Sequence, residues 1–133
     1  MAYIVLNHSQ NTGFLTITLH ANQKPFHFII DTGSNVSHID TAAAGLLNNP
    51  KSSFHNPMII GISGSLKSTG TIHQIFTNDI FTFEHDFLVS DLSALFSSIQ
   101  EEEDFTIHGI IGTDFLSKYR CHIDFKKNRL HLG

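Results

Sequence analysis

Short runs of alternating apolar and polar residues constrain this chain more than any other feature. In Phe14-Leu15-Thr16-Ile17-Thr18-Leu19-His20, Leu15, Ile17 and Leu19 share one face and the threonines take the other, which is the period of a half-buried strand. Ala21-Asn22-Gln23-Lys24 reads as a turn leading into Pro25-Phe26-His27-Phe28-Ile29-Ile30, so the first two strands form a hairpin. Further strands are predicted over residues 71–76, 80–83 and 86–89, and a closing hairpin joins 121–125 to 129–132 across Lys126-Lys127-Asn128. Helical signals are brief. Asp40 caps a helix over 41–47, cut short by Gly45 and Asn48-Asn49-Pro50; Asp91 opens one over 92–100; a third covers 114–118. Many short strands with few, short helices predict a mostly β architecture, a closed or partly closed barrel.

Composition narrows the class of molecule. A length of 133 residues with 41% apolar side chains fits a single domain over 1–133, able to bury about two thirds of its unfolded surface without metal or disulfide support. Cys121 has no partner for an internal disulfide, which favours a reducing compartment. The net charge of −4 comes from one run, Glu101-Glu102-Glu103-Asp104, without which acids and bases balance. No basic patch is present for nucleic acid or an anionic membrane, and no apolar run approaches the roughly 18 residues that span a bilayer. The first residues lack a basic segment followed by a long apolar one, so a cytoplasmic protein is expected. The 10 histidines show no spacing that aims two of them at one ion, so neither a metal nor another cofactor is expected.

One turn stands above this background. The apolar strand ending at Ile30 stops abruptly in Asp31-Thr32-Gly33-Ser34-Asn35, and a second apolar stretch follows over 36–39. A carboxylate at the end of a buried strand is costly unless it is hydrogen-bonded, paired or protonated. Gly33 lets backbone amides approach Asp31, and the hydroxyls of Thr32 and Ser34 can lock the turn or donate to the carboxylate. A strand-ending Asx turn has the same local sequence, so the flanks and the rest of the chain must decide between them.

Phe28-Ile29-Ile30-Asp31-Thr32-Gly33-Ser34-Asn35 resembles the active-site signature of the aspartic proteases. Gly61-Ile62-Ser63-Gly64-Ser65-Leu66-Lys67 is similar to the glycine-rich flap of the retropepsin-like branch, and His108-Gly109-Ile110-Ile111-Gly112-Thr113-Asp114-Phe115-Leu116 to the element preceding its helix. Asp-Phe-Leu after Gly-Thr is closer to cellular, bacterial and retrotransposon members than to retroviral ones. The resemblance runs from about Phe14 to Leu132 and implies an acid-protease barrel with one lobe per chain. It further implies a catalytic Asp31, Thr32 bonding across a dimer axis, Gly33 turning its amide towards the carboxylates, and Ile62, Ser63 and Gly64 offering backbone donors to an extended polypeptide substrate.

Two carboxylates must share such a site, and the chain carries a single Asp-Thr-Gly, so a homodimer is expected to supply the second. A hydroxyl at Ser34 is expected to donate to the carboxylate, lowering the pair's apparent pKa values and giving an acidic optimum. Ile110-Ile111-Gly112 is expected to pack beside the active turn as scaffold, and the chain ends, 1–6 and 129–133, to suit intersubunit strands. Two other readings fit the composition: a catalytically silent retropepsin-like dimerisation or recognition module, and a small-ligand barrel whose pocket is lined by the 12 phenylalanines.

Overall fold

The computed structural model describes residues 2–47, 52–53, 68–101 and 105–133. Its elements, in chain order, are β1 (Tyr3–Val5), β2 (Asn7–His8), β3 (Leu15–Ala21), β4 (Lys24–Ile30), β5 (His38–Asp40), α1 (Thr41–Ala44) and β6 (Ser52–Ser53). They continue as β7 (Ser68–Asn78), β8 (Phe81–Ser90), α2 (Ser93–Gln100), β9 (Gly109–Ile111), α3 (Thr113–Lys118), β10 (His122–Asp124) and β11 (Arg129–His131). The fold is mostly β, as expected, and among the described residues no helix is long and apolar enough to cross a membrane.

The first hairpin forms where the alternation places it. Ala21 pairs with Lys24, so Asn22 and Gln23 make a two-residue turn, both at positive φ (53° and 64°), the backbone twist that suits tightly joined strands. The second hairpin departs from expectation, since the strands foreseen at 80–83 and 86–89 are one strand, β8, pairing with β7 from Asn78↔Phe81 back to Ser68↔Ser90. Glu84-His85 resembles a break in the apolar pattern, but His85 takes an inward position between Phe83 and Phe87 while Glu84 and Asp86 face out. Helix α1 stops at Ala44, shorter than foreseen, with Gly45 as its cap.

Six strands close into a barrel in the order β3-β4-β9-β5-β8-β7, the ring being completed by His20↔Thr77 between β3 and β7. Strand β9 enters between β4 and β5, which follow each other in sequence but do not touch as neighbours; it runs parallel to β4 and antiparallel to β5. A separate sheet has the order β1-β11-β10, so the two chain ends pair with each other within one chain and leave β1 and β10 as its edges.

Phenylalanine fills the barrel. Phe26, Phe28, Phe76 and Phe87 are each at most 1% exposed, and their rings meet at 5.5 Å, three of the four contacts edge-on. Edge-to-face packing of that kind adds roughly 1 kcal/mol per pair to the gain from burial. It also occupies the space that a small-ligand barrel would need open. Ile29 and Ile110 point to the opposite face of β4 and β9, where Leu92, Phe96 and Ile99 of the α2 segment cover them, so β4 is buried on both faces.

The fit of β9 is tight. A Cβ on Gly109 would stand 2.3 Å from the His38 carbonyl oxygen and 2.7 Å from a Phe28 ring carbon. Gly109→Ala is therefore expected to lower stability by about 3 kcal/mol in urea unfolding, at the upper end of overpacking costs. The control Gly45→Ala, whose φ of −65° suits any residue, should change it by less than about 1 kcal/mol.

Candidate active site

Strand β4 delivers Asp31 to the end of the barrel, and its backbone stays on the ladder for one more residue: Asp31 N–H donates to the Ile111 carbonyl at 2.9 Å. The chain then turns. Gly33 N–H donates to Asp31 Oδ1 at 2.9 Å, and Ser34 N–H to the Asp31 carbonyl at 3.1 Å. A Cβ on Gly33 would lie 3.2 Å from that same Oδ1, a tight contact that would need the carboxylate to give by a few tenths of an ångström. Asp31 is half-buried while Thr32 and Gly33 are more open, so the turn presents its carboxylate and the threonine side chain towards the surface.

The expected scaffold lies beside the turn. A Cβ on Gly112 would be 2.7 Å from the carbonyl oxygens of both Ser34 and Val36, so at this position only glycine fits. Thr113 N–H donates to the Ser34 carbonyl at 2.8 Å, tying the start of α3 to the turn. The hydroxyl of Ser34 is not where the sequence pattern puts it. It is fully buried and donates to the Val36 carbonyl at 2.8 Å, so its proton is committed to the loop backbone and the expected acidic optimum loses its donor.

Sequence reasoning missed the groups behind the turn, because Ser37, His85 and Asp114 are joined by no spacing. Asp114, foreseen as the start of a helix and as part of the Gly-Thr-Asp-Phe-Leu element but with no role at the site, has its carboxylate facing Ser37 and His85, with the His85 Nε2 at 2.9 Å. Burial pulls the Asp114 carboxyl upward, but the hydrogen bonds from His85 and Ser37, together with the His85 charge, hold it below the ordinary carboxylate value. His38, fully buried on β5, lies with Nδ1 2.9 Å from Ser90 Oγ. Ile62, Ser63 and Gly64, expected to bind substrate, lie outside the described residues, as do Glu102, Glu103 and Asp104 of the acidic run. Among the described residues, no three His, Cys, Asp or Glu side chains converge to hold a metal ion.

No protein-family model matches the chain, and no curated protein matches its sequence. Solved structures do match in three dimensions. The chain is similar to the retroviral protease-like domain of Ddi1 from Leishmania major, at 19% identity and a TM-score of 0.59 over 90% of this chain and 85% of that one. It is also similar to EIAV protease complexed with the inhibitor HBY-793, at 17% identity and 0.61 over 87% and 97%. A third match is a retropepsin-like aspartic protease from Rickettsia conorii, at 16% identity and 0.58 over 97% and 88%. The fold is thus retropepsin-like, and Asp31 lies on its turn at the end of β4.

Buried His38 and the partly buried His27 and His108 link stability to pH. Burial lowers the pKa of His38 from 6.5 to about 4 against the opposing pull of Asp114 and Asp31, and burial likewise lowers His27 and His108. The unfolded chain takes up these protons first, so stability present above pH 6.5 is lost as pH falls and levels off for His38 below about pH 4. At 1.36 kcal/mol per unit, His38 alone accounts for about 3 kcal/mol. Urea unfolding at pH 7 and pH 4.5 should show a loss of that order, reduced in His38→Gln.

Proposed function

We propose that this chain is an aspartic endopeptidase that works as a homodimer, with Asp31 from each subunit forming the catalytic pair. The observation that carries the proposal is the Asp31-Thr32-Gly33 turn: a carboxylate at the surface end of a buried strand, oriented by its own Gly33 amide, on a retropepsin-like fold with one such turn per chain. A purely structural Asx turn needs no open threonine next to it and no glycine at two separate contacts.

Two carboxylates brought together across a two-fold axis cannot both be ionised, so the pair shares one proton. The ionised member takes a proton from a bound water as its oxygen attacks the scissile carbonyl carbon. The protonated member hydrogen-bonds the developing oxyanion. Collapse of the tetrahedral intermediate breaks the C–N bond, with a carboxyl proton passing to the leaving amine. Thr32 bonds across the axis, Gly33 steadies the carboxylate, and Ser34 acts through the loop backbone that its hydroxyl ties to Val36.

In this reading Ile62, Ser63 and Gly64 close over an extended polypeptide with apolar residues flanking the cut. The apolar preference comes from the resemblance, since the barrel phenylalanines are committed to the core. Residues 1–133 are read as one retropepsin-like domain, and the unpaired Cys121, whose thiol is pushed up to about 11 by burial, fits a reducing cytoplasmic setting.

The test is cleavage of a peptide library with pepstatin added or omitted, alongside sedimentation at micromolar protein. The expected result is pepstatin-sensitive cleavage by a dimer, reduced at least about 10³-fold in Asp31→Asn, within the range for a lost general acid–base pair. A dimer that leaves the library uncut is instead the silent module, and a monomer excludes the shared pair.

A further inference from the structure

Four hydrogen-bond donors converge on one carboxylate behind the active turn. Asp114 Oδ2 accepts from Ser37 N–H at 3.0 Å and from His85 Nε2 at 2.9 Å; Oδ1 accepts from Ser37 Oγ–H at 2.7 Å and from Phe115 N–H at 2.8 Å. Only an ionised carboxylate offers that many acceptor sites, since a carboxamide has a single acceptor oxygen. The Ser37 hydroxyl in turn accepts from Gly112 N–H at 2.9 Å, so the network reaches the glycine that lies against Ser34 and Val36.

We propose that Asp114 is a positioning residue for the Asp31 turn, acting through Ser37 and itself oriented by His85. The inference rests on the assignment of Asp31 as the catalytic carboxylate. Both ends of the loop from Asp31 to Ser37 are tied to strands, Asp31 N–H to the Ile111 carbonyl and the Ser37 carbonyl to Leu88 N–H at 3.0 Å, but the Ser37 amide and hydroxyl are held by the Asp114 side chain. His85 is fixed in its turn, its ring standing edge-on to Phe87 and Phe115 at 5.3 Å, which aims Nε2 at the carboxylate. Three parts of the chain, the loop, β8 and α3, are thus locked by one anion. Apolar residues of similar volume would fill the same space at little or no cost in stability. They would not supply directional bonds to Ser37 N–H and Oγ–H, and a displacement of about 1 Å in a reacting group costs on the order of 10²-fold in rate.

A pocket of about 340 Å³ lined by Asn35, Val36, His85 and Asp114 opens the network to solvent, with His73 and Asp86 from the β7–β8 hairpin and Lys118 from α3 on the same wall. Local opening at this loop can therefore be read by amide hydrogen exchange.

The experiment pairs that exchange with kinetics normalised to inhibitor-titrated active sites. In Asp114→Asn, exchange at the Ser37 and Gly112 amides should rise at least about tenfold while Ile17 and Phe28 in the β3–β4 ladder stay within about twofold. The same variant should lose at least about tenfold in kcat with KM held within about threefold. If Asp114→Asn fails to fold, His85→Leu, which removes one donor and leaves an apolar side chain between Phe87 and Phe115, decides by the same criteria. Unchanged kcat, or exchange that rises equally throughout the ladder, overturns the inference. Selective loss of protection in a protein that never shows Asp31-dependent cleavage overturns the functional reading alone.

Discussion

The insertion of β9 between β4 and β5 is the constraint on which the rest of the structure depends. Two strands adjacent in sequence are held apart by a third that arrives some 70 residues later, and the loop joining them is left projecting from the sheet. The fit works only because Gly109 and Gly112 carry no side chain. At the first, the neighbouring strand's carbonyl and a core ring close in; at the second, two loop carbonyls do. Backbone contact at that range converts a flexible connection into a defined turn, and the carboxylate at its start inherits the definition.

The site accordingly divides labour between its two sides. Toward the interior, polar groups are paired with one another: Ser34 with Val36, Ser37 with Asp114, His38 with Ser90. Outward, Asp31 and Thr32 face away from the core with the Gly33 amide as the carboxylate's local partner. In the proposed homodimer, a second copy of the turn completes this half-buried carboxylate and open threonine. His38, His27 and His108 bound the conditions under which the fold holds, because folding favours their neutral form and that advantage is lost as the solution becomes acid. With the Ser34 proton committed to the Val36 carbonyl, the donor on which the expected acidic optimum rested does not serve the carboxylate.

Much of this is legible in the sequence, and the reasons differ by element. The alternation of Leu15, Ile17 and Leu19 places β3 correctly because the polar residues between and after them, Thr16, Thr18 and His20, keep the period of two intact. Asp31-Thr32-Gly33 is found because its chemistry is local, three residues that act on each other. The long β8 strand reads as two because His85 occupies an inward position that an apolar residue would normally mark. Asp114 and Ser37 escape notice as a pair because 77 positions separate them, and only the β9 insertion brings them together. The direction of the Ser34 hydroxyl is equally invisible, since two acceptors compete for one proton and backbone geometry chooses between them.

The central claim, that one active site is built from two copies of Asp31, is tested most directly by mixing. Wild-type protein is combined with Asp31→Asn at fixed total concentration, allowed to exchange subunits fully, and assayed for cleavage as the wild-type fraction is varied. A site needing both carboxylates predicts a rate that falls as the square of the wild-type fraction. A rate that falls linearly with that fraction would contradict the account.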